Sequence, residues 1–199
     1  MMKKFLLTTA VMLASWDAAA NPPTYLREWD GKVTATFHGD TDFTAPERKA
    51  VEAGFSNWKR QTGGQVNMNV VWDFKSPNMP GNSFFRFSTE MLQSLGKDPM
   101  GSIAGLTLLR FSDTGDPALF LLVHNKLLSA WRLWTATAMH ELGHILGLRH
   151  VDEPDALMNE TIGLNTLPCL TKYDMLEFCK SNKCGMYDLS PCAKPESKK

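Results

Sequence analysis

The segment His140-Glu141-Leu142-Gly143-His144-Ile145-Leu146-Gly147-Leu148-Arg149-His150 constrains the fold of this chain more than any other stretch. Histidines four apart on a helix lie one turn above each other, so His140 and His144 point the same way and can grip one ion. Glu141 is rotated about 100° from His140 by helix geometry. It therefore sits beside such an ion without being forced onto it, where a base for a metal-activated water belongs. A third histidine further along would be carried away down the axis unless the helix stopped. Gly147 supplies the stop. It accepts left-handed backbone angles, so it can end the helix and turn the chain back to bring His150 round to the same ion.

Three neutral imidazoles leave a fourth tetrahedral position open to water, the arrangement of a catalytic zinc. Such an ion lowers the pKa of its water to about 7, Glu141 takes the proton, and the hydroxide attacks a polarised carbonyl. Glu141 can then pass the proton to the leaving amine. A helical histidine pair alone is often only a surface feature. Here the chain has just 5 histidines, and the joint placement of all the fixed positions, Met158 included, argues against chance.

The stretch resembles the metzincin metalloproteases, whose pattern is H-E-x-x-H-x-x-G-x-x-H, and Ala156-Leu157-Met158 resembles their Met-turn. The spacing from His150 to Met158 is most like that of the matrixins, the matrix-metalloproteinase-like branch and its secreted bacterial relatives. Gly101-Ser102-Ile103-Ala104-Gly105-Leu106 resembles the matrixin edge strand, and Leu170-Thr171-Lys172-Tyr173-Asp174-Met175 the start of the family's last helix. The likeness runs from about Trp29 to Cys179. It implies that Met158 is a hydrophobic floor for the zinc and not a ligand. It implies that Asp174 supports the Met-turn through hydrogen bonds, although capping its own helix explains that residue equally well. Ile103 and Ala104 would offer backbone groups to an extended peptide lying as an added strand. The loop Asn159–Pro168, with Ile162, Leu164 and Leu167, would line a pocket favouring an apolar residue after the cut.

The departures from the pattern also carry expectations. Gly105 stands where matrixins place a structural-zinc histidine, and only His38 and His124 remain outside the motif, so one catalytic Zn2+ is expected and no second. Asp113 and Asp116 flank a turn and could take Ca2+, but solvated loop carboxylates explain them as well. No cysteine precedes Cys169, so the cysteine-switch propeptide is missing; Asp30 is the candidate for a carboxylate latch on the zinc.

Around this centre the pattern reads as α+β. Val33, Ala35 and Phe37 alternate in a strand over Lys32–His38. Thr44 with Glu47 forms a capping-box signature for a helix carrying Val51, Phe55 and Trp58 on one face and ending at Gly63-Gly64. Strands follow at Val66–Trp72, Ser83–Phe87, Ser102–Phe111 and Ala118–His124, then a helix from about Ser129 to Leu146, an irregular stretch, and a short helix opened by Thr171 and Asp174. The expectation is a single metzincin-like domain: a twisted mixed β-sheet of about five strands with three helices, and a disulfide-bonded C-terminal extension.

Met1-Met2-Lys3-Lys4, the apolar run Phe5–Ala14 and Ala18-Ala19-Ala20 make residues 1–20 a signal peptide, with the mature chain starting near Asn21. Residues 21–180 are then the catalytic domain and 181–199 the tail. Export fits the cysteines, Cys169, Cys179, Cys184 and Cys192, an even number that reads as two disulfides. A helix separating Cys169 from Cys179 by about 15 Å disfavours that pair. Cys169–Cys184 with Cys179–Cys192, and Cys169–Cys192 with Cys179–Cys184, stay open.

A formal net charge of +0 offers no basic groove for nucleic acid and no membrane-surface patch. The reading is a secreted or periplasmic zinc endopeptidase, a monomer acting on protein or peptide, with no nucleic-acid partner and no stable membrane anchor after signal cleavage. Its alternatives are a zinc-bearing binding or toxin-like module with little catalysis, against which the intact Glu141 speaks, and a zinc amidase or exopeptidase.

Overall fold

The computed structural model describes residues 33–75, 82–87, 105–111, 117–124, 131–162, 166–182 and 189–192. Its first strand, β1 (Val33–Asp40), buries Val33 and Phe37 and exposes Thr34 and Thr36, as the alternation predicts. Helix α1 (Ala45–Gln61) starts with the expected box: the Glu47 carboxylate accepts from the Thr44 amide (2.7 Å) and hydroxyl (2.6 Å). Val51, Phe55 and Trp58 are buried on its inner face. Gly63 and Gly64 follow with φ of 58° and 82°, left-handed angles that end the helix cheaply. The chain then enters β2 (Val66–Phe74), two residues longer than predicted and parallel to β1, a pairing that requires a crossover such as α1.

Three further strands, β3 (Ser83–Phe87), β4 (Gly105–Phe111) and β5 (Pro117–His124), complete a five-stranded sheet in the order β2-β1-β3-β5-β4. β1 and β3 are parallel, as are β3 and β5, while β4 runs antiparallel to β5 and ends the sheet. Helix α2 (Trp131–Ile145) packs against α1 and lies on β4 and β5. Gly54 allows the close helix crossing, since a Cβ there would sit 3.2 Å from Met139 Cγ and 3.3 Å from the Thr135 carbonyl. Trp58 fastens it, donating from its indole to the Met139 carbonyl at 2.9 Å. Helix α3 (Lys172–Asn182) adds Met175 and Phe178 to the core. Among the described residues this gives three helices and a five-stranded sheet, the α+β layout the sequence implies.

The segment 189–192 is stitched onto this body. Gln61 accepts from the Leu170 amide (2.9 Å) and donates to the carbonyls of Leu170 (3.2 Å) and Ser190 (3.1 Å), while its own carbonyl takes the Ser190 amide (2.8 Å). Leu189 joins the core and Cys169 is bridged to Cys192. Of the two pairings left open, this selects the one containing Cys169–Cys192. Cys179 is also disulfide-bonded, and Cys184 lies outside the described residues. So do residues 1–20, read above as a signal peptide, Asp30, Ser102–Ala104 of the predicted fourth strand, Asp113, Asp116 and residues 193–199. No helix among the described residues is long and apolar enough to cross a membrane.

Candidate metal centre

The last turns of α2 carry His140 and His144, whose ring centroids are 4.7 Å apart. After them the helix closes in a Schellman arrangement: the Gly147 amide donates to the His144 carbonyl (3.0 Å) and the Leu148 amide to the Gly143 carbonyl (2.9 Å). Gly147 has φ of 84°, the left-handed angle this turn demands. The reversal brings the His150 ring to 5.2 Å from His140 and 4.9 Å from His144. One nitrogen of each ring lies within 4.8 Å of the others, so the three could hold a metal ion.

The hydrogen bonds behind the rings test that fit. His140 Nδ1 pairs with the Leu157 carbonyl at 2.8 Å and His144 Nδ1 with the Leu148 carbonyl at 2.9 Å. A carbonyl only accepts, so each Nδ1 carries the proton and each Nε2 presents a lone pair. Those two Nε2 atoms face each other at 3.0 Å. Lone pairs repel at that separation, and a shared cation removes the conflict. Burial reinforces the neutral state: it holds His140 well below its ordinary pKa, lowers His144 to about 4, and lowers His150 against the pull of the Glu160 carboxylate. Three neutral imidazoles, two of them oriented by carbonyls, are a donor set suited to zinc.

Glu141, one residue round the helix from His140, is buried, and burial pushes its carboxyl up to about 8. The Thr107 hydroxyl on β4 opposes that shift, donating to Glu141 Oε2 at 2.6 Å. Beneath the histidines, the loop 151–159 is closed by the Val151 amide donating to the Met158 carbonyl at 2.8 Å. Met158 is wholly buried against Gly143, where any Cβ would collide with its sulfur. The buried Asp174 carboxylate receives the amides of Leu157 (3.0 Å) and Met158 (2.8 Å), and also the amide and hydroxyl of Thr171, both at 2.7 Å. Supporting the turn and capping α3 were alternatives in the sequence; the one carboxylate does both.

Residues 29–176 match the family model of the matrixins. The protein belongs to the matrixin family. It is accordingly a zinc metallopeptidase, a hydrolase whose substrates are peptides or proteins. Among solved structures, this matrixin is similar in fold to archaemetzincin from Methanopyrus kandleri, with a TM-score of 0.51, 12% identity, and 80% of this chain and 100% of that one covered. Metalloproteinase-II from Bacteroides fragilis aligns with a TM-score of 0.49 and 11% identity, over 78% of this chain and 54% of that one. No curated protein sequence matches the chain.

The matrixin thus brings together His140, His144, His150, Glu141, Gly147, Met158 and Asp174. Ile103 and Ala104, assigned to substrate, lie outside the described residues, as does Leu164 of the pocket loop. Ile162 packs against the core and Leu167 is half-buried. Sequence reasoning missed Thr107, the Leu157 and Leu148 carbonyls and the Trp58 clamp. Thr107 did leave a trace, as the lone hydroxyl in the run Leu106-Thr107-Leu108-Leu109.

Proposed function

We propose that this matrixin is a secreted zinc endopeptidase in which His140, His144 and His150 hold the metal and Glu141 is the general base. The carrying observation is the convergence of three carbonyl-oriented or loop-borne imidazoles beside one buried carboxyl. Zinc, when bound, supplies a Lewis acid that polarises a carbonyl and acidifies water. Glu141 accepts the proton from water and delivers it to the departing amine, a task suited to a carboxyl whose burial moves its pKa toward neutrality. Met158 closes the floor beneath the ligands with an apolar wall, and Asp174 fixes the turn that carries both Met158 and the Leu157 carbonyl.

Cleavage within chains is supported by the place of β4. It is the last strand of the sheet, beside α2, so its outer backbone edge can pair with an extended peptide passing in either direction. Export is supported by the basic and apolar start of the sequence and by the Cys169–Cys192 bridge, which persists in an oxidising compartment.

Glu141→Gln is expected to keep its zinc and lower kcat by a factor on the order of 1,000 or more, because general acid–base catalysis and the orientation of water are lost together. A chelator should abolish the wild-type activity and added zinc restore it. A peptide blocked at both ends, analysed by mass spectrometry, should be cut internally; cleavage only of free-ended peptides would exclude the endopeptidase reading. Sequencing of exported protein should begin near Asn21.

A further inference from the structure

Thr107 stands in the middle of β4, paired across the sheet with Leu121 and therefore fixed in register by β5. Its hydroxyl lies 2.6 Å from Glu141 Oε2 and 3.0 Å from the Glu141 carbonyl oxygen, a contact spanning 34 residues of sequence. Among the described residues Thr107 is the one side-chain hydrogen-bond partner of the Glu141 carboxylate, which is buried. We infer that Thr107 is a positioning residue for the reaction: its hydroxyl anchors Oε2 of Glu141 on the strand side and reserves Oε1 for water on the histidine side. The inference rests on the peptidase reading above.

The physical case is one of restraint. A glutamate has three rotatable side-chain bonds, and a base must stay within hydrogen-bond reach of the proton it removes. A hydroxyl donating to a carboxylate makes one of the stronger and shorter protein hydrogen bonds. Its donor here is borne by a β-branched residue, stiff at χ1, on a strand whose register is set by its neighbour. The hydroxyl carries one proton and two lone pairs. It can donate to Oε2 of the carboxylate, or turn to the Glu141 carbonyl while accepting from the carboxyl when that bears a proton. The anchor therefore holds in both forms of the base. Because β4 is also the edge strand, the element that would receive an extended substrate is tied directly to the base that activates the attacking water.

The test compares Thr107→Val, which keeps the shape and removes the hydroxyl, with Thr107→Ser, which keeps the hydroxyl and removes the methyl. Each zinc-loaded full-length variant is assayed for kcat and KM on a doubly blocked peptide, with zinc content and thermal midpoint measured alongside. Thr107→Val should lower kcat by about 10- to 100-fold, the usual cost of removing an orienting partner at a metal site, with KM and zinc content near wild type. Thr107→Ser should recover most of the rate. Added to Glu141→Gln, Thr107→Val should cause no further loss. Wild-type kcat in Thr107→Val, equal damage by Thr107→Ser, or a loss that follows zinc content would each overturn the role of the hydroxyl. Full activity in Glu141→Gln would instead remove the general-base role of Glu141, and failure of the zinc-loaded wild type to cut the blocked peptide would remove the peptidase reading beneath it.

Discussion

At the scale of single residues, the centre is a set of groups held in their uncharged forms. His144 has a pKa of about 4 against an ordinary 6.5, and burial is the main cause. Protons therefore compete with metal at this nitrogen only as the pH falls toward 4. Zinc affinity, measured by competition with a chromophoric chelator, should hold through the ordinary histidine range near 6.5 and fall as the pH drops toward 4. A midpoint near 6.5 would contradict the burial of these rings. The same shifts act on folding of the zinc-free protein, with opposite signs. Between pH 6.5 and 4 the unfolded chain binds a proton at His144 that the folded chain does not, so stability is lost as pH falls through that window. Glu141, raised from 4.5 to about 8, contributes stability that is complete below 4.5 and is lost as pH rises through 8. Melting curves of the zinc-free protein from pH 4 to 9 should show both flanks, and Glu141→Gln should remove only the alkaline one.

At the scale of elements, two devices position the ligands: a helix end that reverses the chain, and a loop hung from the next helix. Gly147→Ala forces a Cβ into a left-handed turn and should cost about 1–2 kcal/mol, with loss of zinc occupancy because His150 swings with the turn. Asp174→Ala removes the acceptor for the Leu157 and Met158 amides as well as for Thr171. Each buried donor left unpaired costs about 1–3 kcal/mol. Thr171→Ala, which touches only the cap, should cost about 1 kcal/mol, so chemical denaturation distinguishes the two roles of the carboxylate. These devices differ in how far the sequence revealed them. The histidine spacing and the glycine stop are local, so helix geometry alone places them, and the capping box Thr44–Glu47 formed for the same reason. Thr107 reaches Glu141 only through the register of β4 against β5 and the seat of α2 upon them, neither of which is written in either residue's neighbourhood. The Leu157 and Leu148 carbonyls are backbone groups, which leave no signature in a sequence at all.

At the scale of the whole molecule, a mostly parallel sheet, two crossed helices and a pinned C-terminal segment act as one frame. The α+β order was legible from periodicity, while the sheet order β2-β1-β3-β5-β4 was not, because parallel neighbours are joined by long crossovers that local patterns do not rank. The cysteine pairing needed the fold for the same reason: helix length disfavoured one pair, and only the path of residues 189–192 across Gln61 chose between the others. Cys192→Ser should lower stability by about 2–4 kcal/mol, read as a fall in denaturation midpoint with zinc still bound. That stitching has a consequence for the life of the enzyme. A peptidase's nearest prospective victim is another copy of itself, and a loose polypeptide end is what such a neighbour would seize. Locking residues 189–192 against α1 withholds this segment, so reduction of the bridge should show first as self-digestion around Leu189–Cys192, ahead of any decline in the chemistry of the zinc site.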